Sequence, residues 1–267
     1  MPVSAVKQES FTPRAVQVLE RACERYGGVS AWRRIRCIRL VPNALRGLVP
    51  WLKGSGRSFG LPSAFEIDPH QNMTRFIDYP AAGLVGIFEK GGVRIEAPSG
   101  ETLVAEDRQY RRQFRGWKLH RRWSACDALY FFGYALAHYH ALPFTLLDSR
   151  LVRHWVKGHG DDALDVLAME LPADLATHSR HQSFYFDRQS RLVRHDYHAE
   201  IVSFWARGAH FWQRESRCNG FPVCMERRVL ARWRSRALPV LALHASFREA
   251  SVEYARDPAV SALMNGC

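Results

Sequence analysis

The chain has 267 residues, of which 47% are hydrophobic and 12% aromatic. This composition excludes a disordered or low-complexity protein, because it supplies enough apolar surface for a sizeable core. Lysine and arginine outnumber aspartate and glutamate by 38 to 26, which gives a formal net charge of +12 and favours acidic partners without deciding the fold.

The first predicted element is an amphipathic helix. Thr12 and Pro13 have the pattern of an N-cap followed by proline at the first helical position, apolar residues recur at helical spacing, and Gly27-Gly28 ends the segment. The stretch Met1 to Phe11 has no continuous apolar run of the kind that secretory signals contain, so we expect a cytoplasmic protein.

Short alternating runs and glycine turns, such as Gly54-Ser55-Gly56 and Gly91-Gly92, follow over residues 35–104 and predict antiparallel strands. Residues 101–122 are polar and cationic, which predicts a loop or a frayed helix. A second set of strands is predicted over five segments: Leu164–Leu171, Gln182–Asp187, Leu192–Val202, Phe221–Leu230 and Leu238–Phe247.

An apolar helix is predicted between the two sets of strands, over Ala125–Ala141, and Pro143 ends it. Asp127, His138 and His140 interrupt its apolar run, which indicates a buried helix rather than a membrane span. Helix, strands, helix and strands without βαβ alternation predict an α+β fold. With no repeat or linker, we expect one domain over residues 1–267, with a helix in 1–28, strands in 35–104, the buried helix in 123–142 and strands in 164–250.

Short segments rich in aromatic residues and histidine are spread over the second half: Leu129–Ala135, Pro143-Phe144, Thr177–Ser179, Gln182–Asp187, Arg194–Tyr197, Ala209-His210 and Arg227–Val229. Together they resemble a group of largely uncharacterised bacterial proteins. The element Gly27-Gly28-x-x-Ala31-Trp32 resembles the start of the half-barrel in the LolA and LolB lipoprotein carriers.

The resemblance implies a strongly curved antiparallel half-barrel wrapped around one or two helices, with an apolar cavity between sheet and helix. Lipoprotein transport is not implied, because the chain lacks the carriers' export signal. The group has no established catalytic residues that could be carried over to this sequence.

The segment Arg194–Glu200 is the densest group of ionisable residues. In a strand, Arg194, Asp196, His198 and Glu200 share one face, whereas His195 and Tyr197 share the other. If the first face lines a cavity, Asp196 orients His198 as a base and Arg194 binds an oxyanion. The alternative is ion pairing on a solvated face.

Further candidates lie on the buried helix and before an aromatic strand. Tyr130, Tyr134 and His138 are candidate ligand contacts, although an aromatic stripe at this spacing is also typical of core packing. His178 is a second candidate base at a cavity mouth, or a solvated loop residue. Three aromatic residues complete the predicted lining: Phe184, Phe186 and Trp205.

No metal or cofactor is expected. Asp196, His198 and Glu200 span more of one strand than a metal ion's ligand sphere, and His138 and His140 point to different sides of a helix. The six cysteines form no C-x-x-C pair, and neither nucleotide-binding glycine motif occurs. Two basic-aromatic stretches, residues 111–123 and 227–236, resemble nucleic-acid surfaces, but no binding module surrounds them, so we do not expect nucleic acid as the partner.

The sequence therefore favours a protein that binds a small, largely apolar organic molecule and performs cofactor-independent acid-base chemistry on it, such as isomerisation, cyclisation or dehydration. The proposed base is His198 or His178, and Tyr134 or Tyr197 is the acid. His195 is the reserve candidate if the 194–200 strand faces the other way. The alternative is a non-catalytic carrier of a hydrophobic ligand.

Overall fold

The computed structural model describes residues 11–54 and 60–255. The α-helices in these ranges are α1 Pro13–Arg25, α2 Gly28–Arg33, α3 Leu48–Lys53 and α4 Ala125–Ala141. The strands of the first half are β1 Ile35–Arg46, β2 Ala64–Asp68, β3 Met73–Ile77, β4 Val85–Glu89, β5 Gly92–Glu96 and β6 Thr102–Glu106. Those of the second half are β7 Arg150–Lys157, β8 Leu164–Glu170, β9 His181–Phe186, β10 Leu192–His198, β11 Arg207–Trp212, β12 Glu215–Cys218, β13 Phe221–Cys224, β14 Glu226–Trp233 and β15 Arg236–Tyr254.

Thirteen of the described strands form one antiparallel sheet in the order β6-β5-β4-β3-β2-β1-β15-β14-β11-β10-β9-β8-β7, and β12 and β13 form a separate hairpin. The long strands β1 and β15 pair in the middle, from Ile35 opposite Tyr254 to Arg46 opposite His244. This pairing joins the strands that precede α4 in the chain to those that follow it.

Helix α4 is enclosed by this sheet. It begins with a capping box, in which Ser124 and Asp127 satisfy each other's backbone N–H groups, and it is apolar nearly all round. Tyr130 contacts Phe88 of β4, with ring centroids 5.7 Å apart, and Tyr139 contacts His210 of β11 at 4.6 Å. The sheet therefore curves around the helix, as the predicted α+β half-barrel requires.

The predictions for two helices are confirmed: α1 follows the Thr12 cap, and α4 ends at Ala141, two residues before Pro143. The prediction of strands over residues 35–104 is wrong at α3, which lies within that range. The prediction of a loop or frayed helix over residues 101–122 is wrong at its start, because β6 pairs there with β5. All five β6 side chains are exposed, so this edge strand lacks the alternation that marks a half-buried one.

Two strand predictions are also corrected. The strand expected over Phe221–Leu230 is divided at Met225, whose N–H donates to the carbonyl of Arg214, so its two parts belong to different sheets. The strand expected over Leu192–Val202 ends at His198, because the backbone turns at the next residues.

Some predicted features lie outside the described residues: positions 1–10, most of the turn at 54–56, and Cys267. No described helix combines the length and the apolar character needed to cross a membrane.

Candidate apolar pocket and buried histidine-tyrosine network

An apolar pocket lies between α4 and the middle of the sheet. The helix contributes Ala128, Phe132 and Leu136, which are spaced four residues apart and therefore share one face. The sheet and the loop before β2 contribute the other described lining residues: Pro42, Ala44, Leu45, Gly60, Leu61, Pro62, Phe65, Phe76, Tyr79, Ala245, Ser246 and Phe247. Almost every group facing the space is therefore a hydrocarbon.

The pocket is narrow. It encloses about 500 Å³ of empty space, its open mouth included, and only a small part of that space is wide enough for a water molecule. Leu61 lines the pocket and is exposed, so the pocket meets solvent at the loop before β2. A narrow hydrocarbon slot fits an unbranched chain better than a fused ring system.

A buried network of tyrosine and histidine lies on a different side of α4. The Tyr134 hydroxyl is 2.8 Å from Nδ1 of His178, and the Tyr139 hydroxyl is 2.6 Å from its Nε2. Tyr139 in turn donates to the Tyr197 hydroxyl at 3.3 Å, and the Tyr197 ring stacks on His178 with a centroid distance of 4.1 Å.

The hydrogen bonds of His178 fit its neutral form. Burial, followed by the neighbouring His138 and Arg111, lowers the pKa of His178 well below its usual value. One neutral tautomer then satisfies the network: Tyr134 donates to Nδ1, and Nε2–H donates to Tyr139. The imidazole is held between two phenols and is shielded from solvent.

Arg111 holds the backbone that carries His178. Its guanidinium donates to the carbonyls of Thr177 and His178 at 2.7 Å each, and to Glu200 at 2.6 Å. Because these acceptors lie on the segments before β9 and after β10, the contacts fix the position of His178 relative to the sheet.

The structure brings several predicted site residues together at this network. His195 and Tyr197 of β10 face α4, so the concave face of this strand carries the reserve base and one of the two proposed acids. Phe184 stacks on His195 with a centroid distance of 5.5 Å. Phe186, His138 and Tyr130 are buried in the same interior.

The opposite face of β10 carries an ion pair instead of the expected base and orienter. Arg194 binds Asp196 through two hydrogen bonds of 2.7 and 2.9 Å, and Tyr185 donates to the same carboxylate at 2.9 Å. Arg194 and Asp196 are both buried. With its oxygens held by these partners, Asp196 does not orient His198.

The remaining predicted residues lie apart from the network. His198 has its Nε2 at 3.1 Å from the carbonyl of Ser203, and Trp205 lies in the following turn with 81% of its surface exposed. Neither residue is brought to the pocket. No predicted catalytic or ligand-contact residue is among the described residues that line it.

Sequence reasoning missed Tyr139, His210 and Arg227, which complete the interior. Both ring nitrogens of His195 and His210 lack a hydrogen-bond partner among the described groups. The segments Ala209-His210 and Arg227–Val229 carry the family resemblance, but alternation along a strand does not say which face meets the helix. No group of three or more histidine, cysteine, aspartate or glutamate residues in the described ranges is placed to hold a metal ion.

No protein-family model and no curated protein matches this sequence. Among solved structures, it is similar to a LolA superfamily protein from Nitrosomonas europaea, with a TM-score of 0.45, 10% sequence identity, and coverage of 91% of this chain and 94% of that chain. A DUF1329 family protein from Desulfovibrio piger is also similar, with a TM-score of 0.42, 11% identity, and coverage of 94% of this chain and 100% of that chain.

Proposed function

We propose that the protein binds a slim apolar molecule in the pocket between α4 and the middle of the sheet, and releases it chemically unchanged. The observation that carries this proposal is the lining, which consists almost wholly of hydrocarbon groups on one helix face and the facing strands. Removal of apolar ligand surface from water supplies the binding free energy, at roughly 25 cal/mol per Å².

The surface near the mouth of the pocket favours a carrier. Leu48, Trp51 and Leu52 of α3 are exposed, with 41%, 72% and 49% of their surface accessible, and they follow the lining residue Leu45 in the chain. Exposed apolar side chains beside a pocket are typical of sites at which an apolar ligand or an apolar partner is met.

The first test fills the pocket. We expect Ala44→Phe to weaken binding of the neutral fluorescent probe diphenylhexatriene, a linear molecule without fused rings, roughly tenfold or more, because the added ring occupies the slot. Ala105→Phe is the matched control, since it adds the same group to the exposed edge strand β6. Ala44→Leu, with a smaller addition, tests the same point if the phenylalanine variant does not fold. Equal probe affinity in the wild type and both Ala44 variants would refute the proposal.

The second candidate function is acid-base chemistry at His178, on a small molecule bound at the buried tyrosine-histidine network and not in the apolar pocket. The observation that favours it is the placement of a neutral imidazole between the phenols of Tyr134 and Tyr139. Incubation of a bound ligand in deuterium oxide separates the two functions. A carrier returns the ligand without deuterium on carbon, whereas proton transfer by His178 introduces deuterium in the wild type and not in His178→Asn.

A further inference from the structure

Arg227 is a buried cation without an acidic partner. Only 2% of its surface is exposed, and among the described residues it forms no ion pair with a carboxylate. Its one described side-chain hydrogen bond joins Nη2 to Nε2 of His140 at 3.2 Å. Because His140 Nδ1 donates to the carbonyl of Leu136 at 2.8 Å, Nε2 is the acceptor, and the imidazole it belongs to is neutral. A buried charge with one neutral acceptor is costly unless a further group compensates it.

The guanidinium offers its edge, and not its faces, to a further partner. The Trp212 and Tyr139 rings lie within cation-π distance, with the guanidinium carbon 4.5 and 5.0 Å from their centroids. Nε and Nη1 have no acceptor among the described groups, and their hydrogens lie in the guanidinium plane. An in-plane acceptor with negative charge, such as a carboxylate, is the partner that this planar donor set binds best.

The groups near Arg227 favour the binding of an anion over that of a cation. Burial and Arg227 itself lower the pKa of His210, as burial and neighbouring charges do for His195, so both imidazoles are neutral, and each can donate one N–H. Trp212 Nε1 is also without a described acceptor and is a donor only. The surroundings therefore present donors, together with one fixed positive charge.

Arg227 lies beside the end of the apolar pocket. It is the cross-strand partner of the lining residue Ala245, so the two side chains share one face of the sheet at neighbouring positions. Its partner His140 lies one helical turn beyond Leu136, the last lining residue of α4. A chain in the pocket with its end at Leu136 and Ala245 thus points toward the guanidinium.

We infer that the ligand is an anionic amphiphile, in its simplest form a fatty carboxylate, whose chain occupies the pocket and whose head group is bound by Arg227. This inference rests on the proposed function, because it requires the pocket to hold the chain. It adds the chemical class of the ligand and assigns a head-group residue. The positive formal charge of the chain, +12, attracts such ligands to the protein.

The test compares dodecanoate with dodecanol, which differ only at the head group, by isothermal titration calorimetry. We expect the wild type to bind dodecanoate roughly tenfold or more tightly than dodecanol, and Arg227→Met to lose that preference while it retains dodecanol binding. Arg228→Met is the matched control, because Arg228 is the next residue on β14 and is exposed. It is expected to leave both affinities unchanged.

A second measurement needs no substitution. We expect dodecanoate with an isotope-labelled carboxyl carbon, when bound to the wild type, to remain ionised at a lower pH in NMR titration than free dodecanoate, since the guanidinium stabilises the carboxylate. Equal affinity of the wild type for the acid and the alcohol would overturn the inference and leave the proposed function in place. If dodecanoate, dodecanol and the neutral probe all fail to bind, the proposed function is refuted instead.

Discussion

The buried histidines make the folded state sensitive to acid. Burial lowers the pKa of His138 from 6.5 to about 4, and the charge of Arg227 acts in the same direction. Between these two values the unfolded chain binds a proton that the folded chain does not. The free energy of unfolding must therefore decrease as the pH falls from about 7 to about 4, by about 1.4 kcal/mol per pH unit for a single such histidine.

His138→Phe is expected to remove this histidine's share of the pH dependence. The free energy of unfolding in urea should be measured at about pH 6 and about pH 5. Between these two pH values it should fall by about 1.4 kcal/mol less in the variant than in the wild type. His159 is exposed, so His159→Phe should retain the wild-type difference. A His138 variant with the full wild-type pH dependence would mean that this imidazole is protonated in the folded state.

For individual residues, the sequence identifies candidate ionisable and hydroxyl side chains but does not predict which of them come into contact. It singled out His178, Tyr134 and Tyr197, which the structure joins in one network. It favoured Asp196 as the partner of His198, because two residues two apart share a strand face. In the structure, Asp196 is instead bound by Arg194 and by Tyr185 of the neighbouring strand. Local spacing in the sequence does not encode such contacts between strands.

The position of α4 depends on a close approach to β4. A Cβ atom added at Gly133 would lie 2.3 Å from the Cβ of Phe88, well inside van der Waals contact. Alanine is normally the better helix former by about 1 kcal/mol, so helix propensity and packing make opposite predictions at this residue. Because Phe88 is fully buried and its Cβ can move only with the β4 backbone, the packing effect is the larger.

Gly133→Ala is therefore expected to destabilise the fold by about 1–3 kcal/mol in urea unfolding. Gly60→Ala provides the control, since a Cβ at that position meets nothing within 4 Å. The Gly60 variant should unfold within about 0.5 kcal/mol of the wild type. A Gly133 variant as stable as the wild type would show that α4 can move away from β4 at little cost.

Two of the four described α-helices, α1 and α4, were predicted from the sequence, because their signals are local. Thr12 with Pro13 marks the start of α1, and Pro143 lies just beyond the end of α4. The edge strands β6 and β7 escaped prediction, since most of their side chains are exposed and no apolar alternation results. The concave side of β10 could not be predicted either, because it depends on the curvature of the whole sheet.

At the scale of the whole molecule, the central pairing of β1 with β15 and the enclosed α4 connect both halves of the sheet. The N-terminal helix adds a further link, because Arg14 of α1 donates to Asp165 of β8 at 2.8 Å. Neither half can lose its strands without exposing the core that α4 shares with the other. We therefore expect the single domain predicted from the sequence to unfold in one cooperative transition.

Ligand binding should raise the midpoint temperature of this single transition without dividing it. At a dodecanoate concentration about 100 times the Kd, binding adds about 2.7 kcal/mol to the free energy of unfolding, which corresponds to a rise in Tm of roughly 5–10 °C for a chain of this size. Differential scanning calorimetry should show one peak that shifts in the wild type and stays in place for Ala44→Phe, whose pocket is filled. Two peaks, of which only one responds to dodecanoate, would mean that the halves of the sheet unfold independently and that the pocket belongs to one of them.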